Sequence, residues 1–138
     1  EEGAGIDGKS FSLLPVEIFY RETGKTKKVT EYPCDGKLLK AAEQVKTKYH
    51  TGRGVIGSGD EWNNQLDRIA LLRERYHTAV EDMESAAAAQ LCLSYGVPFL
   101  GVRILSNSIV NGEKFDEAVG IDGQKFMLSL IDQMREYM

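Results

Sequence analysis

A chain of 138 residues with 42% hydrophobic and 28% charged side chains has the composition of an ordinary globular protein, which excludes a disordered or collagen-like polymer. Its net charge of -4 argues against sequence-independent binding to nucleic acid or anionic lipid. The longest apolar run, residues 97–102, is strand-sized and far short of the roughly 20 residues of a membrane-spanning helix.

In chain order, the first 36 residues read as an irregular arm, with glycines at 3, 5 and 8. Within it Val16, Ile18 and Tyr20 alternate with Glu17 and Phe19, which suits a strand or extended arm. The run Lys25-Thr26-Lys27-Lys28 after Gly24 reads as a solvated turn. Turn residues gather at Tyr32-Pro33-Cys34-Asp35-Gly36, where Asp35 suits the cap of a following helix. Leu38, Ala41, Ala42 and Val45 then recur at helical spacing as far as residue 49. The glycine-bounded run 54–58 predicts a buried strand, residues 64–76 a second helix, and Ala79-Val80-Glu81 a strand end. Residues 84–95 contain four consecutive alanines and predict a strong helix, stopped by Gly96 with Pro98 just beyond. Residues 97–105 carry the best strand pattern in the chain. A last helix over 122–137 is expected to bury Phe126, Leu130, Ile131 and Met134.

Strands alternating with helices predict an α/β fold, with a central mixed, largely parallel sheet flanked by helices. One domain is expected, residues 1–36 forming its arm and 37–138 its core. In such sheets ligands bind beyond the carboxyl ends of the strands. Three polar clusters fall there: residues 58–63, Asp82-Met83-Glu84, and Arg103 with Ser106-Asn107.

Each cluster has a plain use and a chemical one. Glu84 suits either helix capping or acceptance of two hydrogen bonds from a vicinal diol such as ribose, with Met83 as an apolar floor. Trp62, the single tryptophan, suits either core packing or stacking on a flat ring. The Asn107 amide offers a donor and an acceptor to the edge of a heterocycle. Arg103 suits either a strand-end salt bridge or a grip on an anion or water. His50 and His77 read as surface helical positions, and neither has metal-ligand spacing with Cys34 or Cys92. Cys92 reads as a buried, reduced thiol, and the opening Glu1-Glu2-Gly3-Ala4-Gly5 lacks the pattern of a signal peptide. A cytoplasmic setting is therefore expected. No GxGxxG, Walker loop, GxSxG or HExxH motif occurs, so no cofactor or metal is expected.

Three segments occur in order with fitting gaps: Gly54-Val-Ile-Gly-Ser-Gly-Asp60-Glu-Trp62, Val80-Glu-Asp-Met-Glu84-Ser-Ala-Ala-Ala-Ala, and Val97-Pro-Phe-Leu-Gly-Val-Arg103-Ile-Leu-Ser106-Asn107. Together they resemble the purine nucleoside phosphorylase/uridine phosphorylase superfamily, most closely its methylthioadenosine/S-adenosylhomocysteine nucleosidase branch. By that resemblance Met83 and Glu84 bind the ribose and Trp62 stacks on the purine. Asn63 stands where the backbone meets the base, and Phe115 closes over the 5' side of the sugar. Arg103 lies beside the attacking water or phosphate, while Ser106 and Asn107 match the Ser-Asp pair that holds and protonates the base. The implied reaction is dissociative cleavage of the N-glycosidic bond, with an oxocarbenium-like sugar and no covalent intermediate. A homodimer or larger homo-oligomer is also implied.

The chain departs from that pattern twice. Asn107 stands where the nucleosidases have Asp, and an amide delivers no proton as a general acid. Hydrolysis of 6-oxopurine nucleosides such as futalosine is therefore an alternative to adenosine-type substrates. Phosphorolysis and a non-catalytic nucleoside-binding role are the others. Before Lys37 the likeness is faint, and nothing there replaces the amino-terminal part of the family, which carries the water-activating glutamate; the chain starts at Glu1. The expectation is a carboxy-terminal portion that holds the purine and ribose half of a site and takes a missing amino-terminal segment as its partner.

Overall fold

The computed structural model describes residues 13–135. In chain order these form β1 (Val16–Tyr20), β2 (Lys25–Val29), α1 (Gly36–Gln44), β3 (Val55–Ser58), α2 (Leu66–Tyr76), β4 (Thr78–Asp82), α3 (Ser85–Tyr95) and α4 (Ala118–Arg135). The glycines at 3, 5 and 8 and the expected helix end at 137 lie outside the described residues. The α/β class holds. The described residues gather into two compact units, one from the segments up to 33 and 54–99, the other from 34–53 and 100 onward.

In the first unit, β1 and β2 form an antiparallel hairpin, with Ile18 facing Lys27. Part of the stretch expected to be irregular is thus regular. Its turn is Arg21–Gly24: the Gly24 N–H donates to Tyr20 O at 2.8 Å, and Gly24 takes φ +63°, a conformation glycine adopts without steric cost. This turn displaces the one expected at the lysine run, which is strand β2 instead. The lysines stay solvated there, Lys28 facing Glu17 at 3.9 Å and Lys27 lying over the Tyr20 ring at 5.0 Å. Ile18 is the buried residue of β1.

β3 and β4 pair in parallel, with Gly57 opposite Glu81 and Ser58 opposite Asp82. A parallel pair needs a crossover connection, and α2 supplies it, with Leu72 buried. Gly57 permits a close approach, because a Cβ there would lie 2.8 Å from the Thr78 methyl carbon. The alanine-rich α3 buries Ser85 and Ala89 and packs on both β1 and β3. Ser94 Oγ donates to Phe19 O at 2.6 Å, and the Arg21 guanidinium lies 4.2 Å from the Tyr95 ring centre. Gly96 ends α3 at φ +68°, and the Val97 N–H closes back on Cys92 O at 2.8 Å, the expected glycine-terminated stop.

Residues 97–105 join no ladder, against the expectation of a strand. A strand exists through its partners' N–H and C=O groups. β3 pairs with β4, β1 pairs with β2, and no described strand is hydrogen-bonded in a ladder to this apolar segment.

In the second unit, Asp35 caps α1 by accepting from Lys37 N at 2.9 Å and Leu38 N at 3.0 Å. The helix stops at Gln44 and not near 49. Beyond it Thr47 Oγ1 accepts from Tyr49 N at 3.2 Å, a local bond that competes with the helical ladder. His50 is consequently an exposed loop residue, and His77 is the left-handed cap of α2 at φ 57°. α4 begins earlier than expected because Asp116 Oδ1 accepts from Ala118 N at 2.9 Å. It packs against α1 and buries Leu130, with Phe126 and Met134 half-buried. Ile131 is 46% exposed and not buried, since one residue along a helix turns about 100° away from the buried stripe. Cys92 is half-buried and Cys34 exposed, both as free thiols. Among the described residues no helix is long and apolar enough to cross a membrane.

Candidate functional site

Because β3 and β4 run in parallel, the segments that follow them leave from the same carboxyl edge. Gly59 N donates to Asp82 O at 3.0 Å and extends that pairing into the loops. One loop carries Trp62 and Asn63, the other Met83 and Glu84. The first unit therefore brings four of the eight expected residues to one sheet edge.

The start of α3 shows which side chains cap it. Ser58 Oγ accepts from Ala86 N at 3.0 Å, and Asp82 Oδ1 accepts from Ser85 N at 3.2 Å. The Ser85 hydroxyl donates to the other Asp82 oxygen. Glu84 occupies the N-cap position, with φ −126° and ψ −28°, yet its side chain makes no capping bond. Capping falls to Ser58 and Asp82, and Glu84 stands exposed beside an exposed Met83. Sequence reasoning misses the capping role of Ser58, which lies 28 positions from Ala86. The signal for Asp82 is present in its position three residues ahead of Ser85.

Trp62 is 62% exposed, so it is no core residue. Its neighbours are anchored on both sides. Glu61 pairs with Arg68 of α2, and Asn63 Nδ2 donates to Glu81 Oε2 at 2.9 Å and Oε1 at 3.3 Å. Asn63 Oδ1 accepts from Gln65 N at 3.2 Å. Both ends of the Asn63 side chain are thus engaged within the protein, which leaves its backbone as the part suited to a ligand.

The second unit carries Arg103, Ser106, Asn107 and Phe115. Arg103 is exposed, and its Nη1 donates to Val102 O at 3.0 Å. Ser106 Oγ donates to Asn107 Oδ1 at 3.0 Å, which occupies one of the two lone pairs of that oxygen and leaves the NH2 end as a donor. Ser106 O accepts from Asp116 N at 3.1 Å, bringing the exposed Phe115 near the Ser106-Asn107 pair. The intervening loop is closed by Glu113 N donating to Ser108 O at 2.9 Å, with Gly112 at φ +66°.

A family model described as the phosphorylase superfamily matches residues 10–134. The 5'-methylthioadenosine/S-adenosylhomocysteine nucleosidase of Bacillus pumilus is 35% identical over 131 residues, covering 87% of this chain and 56% of its own length. The protein of the same name from Aeromonas salmonicida is 32% identical, with coverage of 86% and 54%. That from Geobacillus kaustophilus is 30% identical, with coverage of 76% and 48%. The chain spans about half the length of these curated relatives. With the family pattern running through both units, from the β1–β2 hairpin to α4, the chain belongs to the phosphorylase superfamily.

Proposed function

We propose that this chain carries the purine- and ribose-binding elements of an enzyme that hydrolyses the N-glycosidic bond of purine nucleosides of the 5'-methylthioadenosine/S-adenosylhomocysteine type. The observation that carries the reading is the capping of α3 by Ser58 and Asp82, which relieves Glu84 of the ordinary duty of a carboxylate at a helix start. The names of the relatives support the same chemistry.

In this reading Glu84 accepts from the ribose hydroxyls as an ionised carboxylate, and Met83 lies under the sugar. Trp62 stacks on the base, and Phe115 covers the 5' substituent. As the glycosidic bond lengthens, electrons flow into the purine and positive charge grows on the sugar. The Asn107 NH2 donates to the departing base, while Arg103 holds the incoming water. Glu84 stabilises the developing cation more than the neutral substrate, which is what lowers the barrier. The group that activates water lies outside these residues.

A second reading rests on the Ser106–Asn107 bond. An amide whose oxygen is already engaged by Ser106 and whose NH2 end donates suits acceptors, such as N7 and O6 of a 6-oxopurine, better than a 6-amino group, itself a donor. The test compares release of base from methylthioadenosine, inosine and futalosine, with and without phosphate. Adenine release independent of phosphate supports the leading reading, and hypoxanthine release alone supports the second. Absence of nucleoside binding in the wild type, or binding unchanged in E84Q, overturns both.

A further inference from the structure

Trp62 is fixed less by its own contacts than by those of the residues around it. Asn63 Nδ2 donates to the carboxylate of Glu81, shared between its two oxygens at 2.9 and 3.3 Å, while the Asn63 side-chain oxygen accepts from Gln65 N at 3.2 Å. A carboxylate only accepts and a backbone N–H only donates, so these partners determine which end of the amide points which way. Glu81 is in turn fixed by the β3–β4 register, opposite Gly57. It precedes Met83 by two residues and Glu84 by three on the same strand end.

We propose that Glu81 is a positioning residue: through Asn63 it ties the loop bearing Trp62 to the strand that leads into Met83 and Glu84, and so sets the aromatic face against the sugar-binding carboxylate. The assignment deepens the nucleoside-binding reading and rests on it for its ligand. The clamp itself is exposed, and exposed hydrogen bonds contribute little to global stability. Its effect is therefore on where the loop sits and not on whether the protein folds.

The sole tryptophan makes this readable. Time-resolved fluorescence anisotropy of ligand-free protein reports motion of Trp62, and quenching by a purine C-nucleoside, whose carbon–carbon glycosidic bond resists hydrolysis, reports binding. E81A and N63D each remove the clamp, the second by facing two carboxylates. Both are expected to enlarge the fast component of the anisotropy decay and weaken C-nucleoside affinity about tenfold, with thermal unfolding unchanged. E81Q retains one acceptor and stays near wild type. The double variant N63D/E81Q restores a hydrogen bond with donor and acceptor exchanged, and recovers both readouts. An unchanged fast component in E81A, or a double variant that behaves like N63D, overturns the proposal. If the wild type binds no C-nucleoside, the functional reading fails while the anisotropy still decides the clamp.

Discussion

A carboxylate at the head of a helix need not cap it, and Glu84 is such a case, because its side chain makes no capping bond. Ser58 and Asp82 already hold the amides of Ala86 and Ser85, so removing the Glu84 charge leaves the helix start intact. E84Q is expected to weaken nucleoside binding about 10- to 100-fold, the loss of a charged acceptor, with the Ser58 and Asp82 caps of α3 still in place. S58A should behave in the opposite way at the level of the fold, costing about 1 kcal/mol for a lost cap. Unfolding curves of the two variants side by side check the contrast. At Asn107 the amide donates a hydrogen bond but no proton. If the proposed nucleosidase reading holds, N107D supplies a carboxyl that can protonate the leaving base, and initial rates of adenine release should rise about tenfold or more.

Among the elements, α3 and α4 are the most informative. Gly96 stops α3 with φ +68°, and the Glu22 carboxylate fills the space where a Cβ would go. G96A should cost about 1–2 kcal/mol from the left-handed backbone alone, measured by thermal unfolding. In the second unit the Tyr49 hydroxyl donates to Asp122 of α4 and ties the segment after α1 to that helix. This bond, helped by Lys48 and Lys125 and opposed by desolvation, holds the Asp122 carboxyl below the usual carboxylate range. A carboxylate lowered on folding adds stability above its unfolded pKa and loses it as pH falls through the folded value. Y49F should therefore move the Asp122 titration upward, toward the ordinary range, in an NMR pH series, and leave stability at neutral pH less dependent on that pair. Elements with local signals are legible in the sequence: the Asp35 cap, the alanine run of α3 and the Gly96 stop all act within a few residues. The lysine run and residues 97–105 are not, since a strand is decided by what lies beside it. Lysines with a partner strand became β2, and a better apolar pattern without one became no strand at all.

For the molecule as a whole, the same dependence on distant partners explains which parts of the site are readable from residue order alone. Trp62, Met83 and Glu84 follow strands that local pattern predicts, so their common edge is foreseeable. The Glu81–Asn63 clamp and the Ser58 cap depend on the β3–β4 register and leave no mark in local spacing. Large apolar side chains remain exposed on α3 and on α4, with Leu91 at 64% and Leu128 at 65%. The net charge of -4 opposes association through these faces, and salt screens that repulsion. Sedimentation should therefore show self-association increasing from low to high ionic strength. The capped start of α3 has one more consequence. A helix amino terminus ordinarily attracts oxyanions through its unsatisfied amides, but two of the first amides here are already spent on Ser58 and Asp82. An inorganic anion drawn to that end must first displace the chain's own side chains.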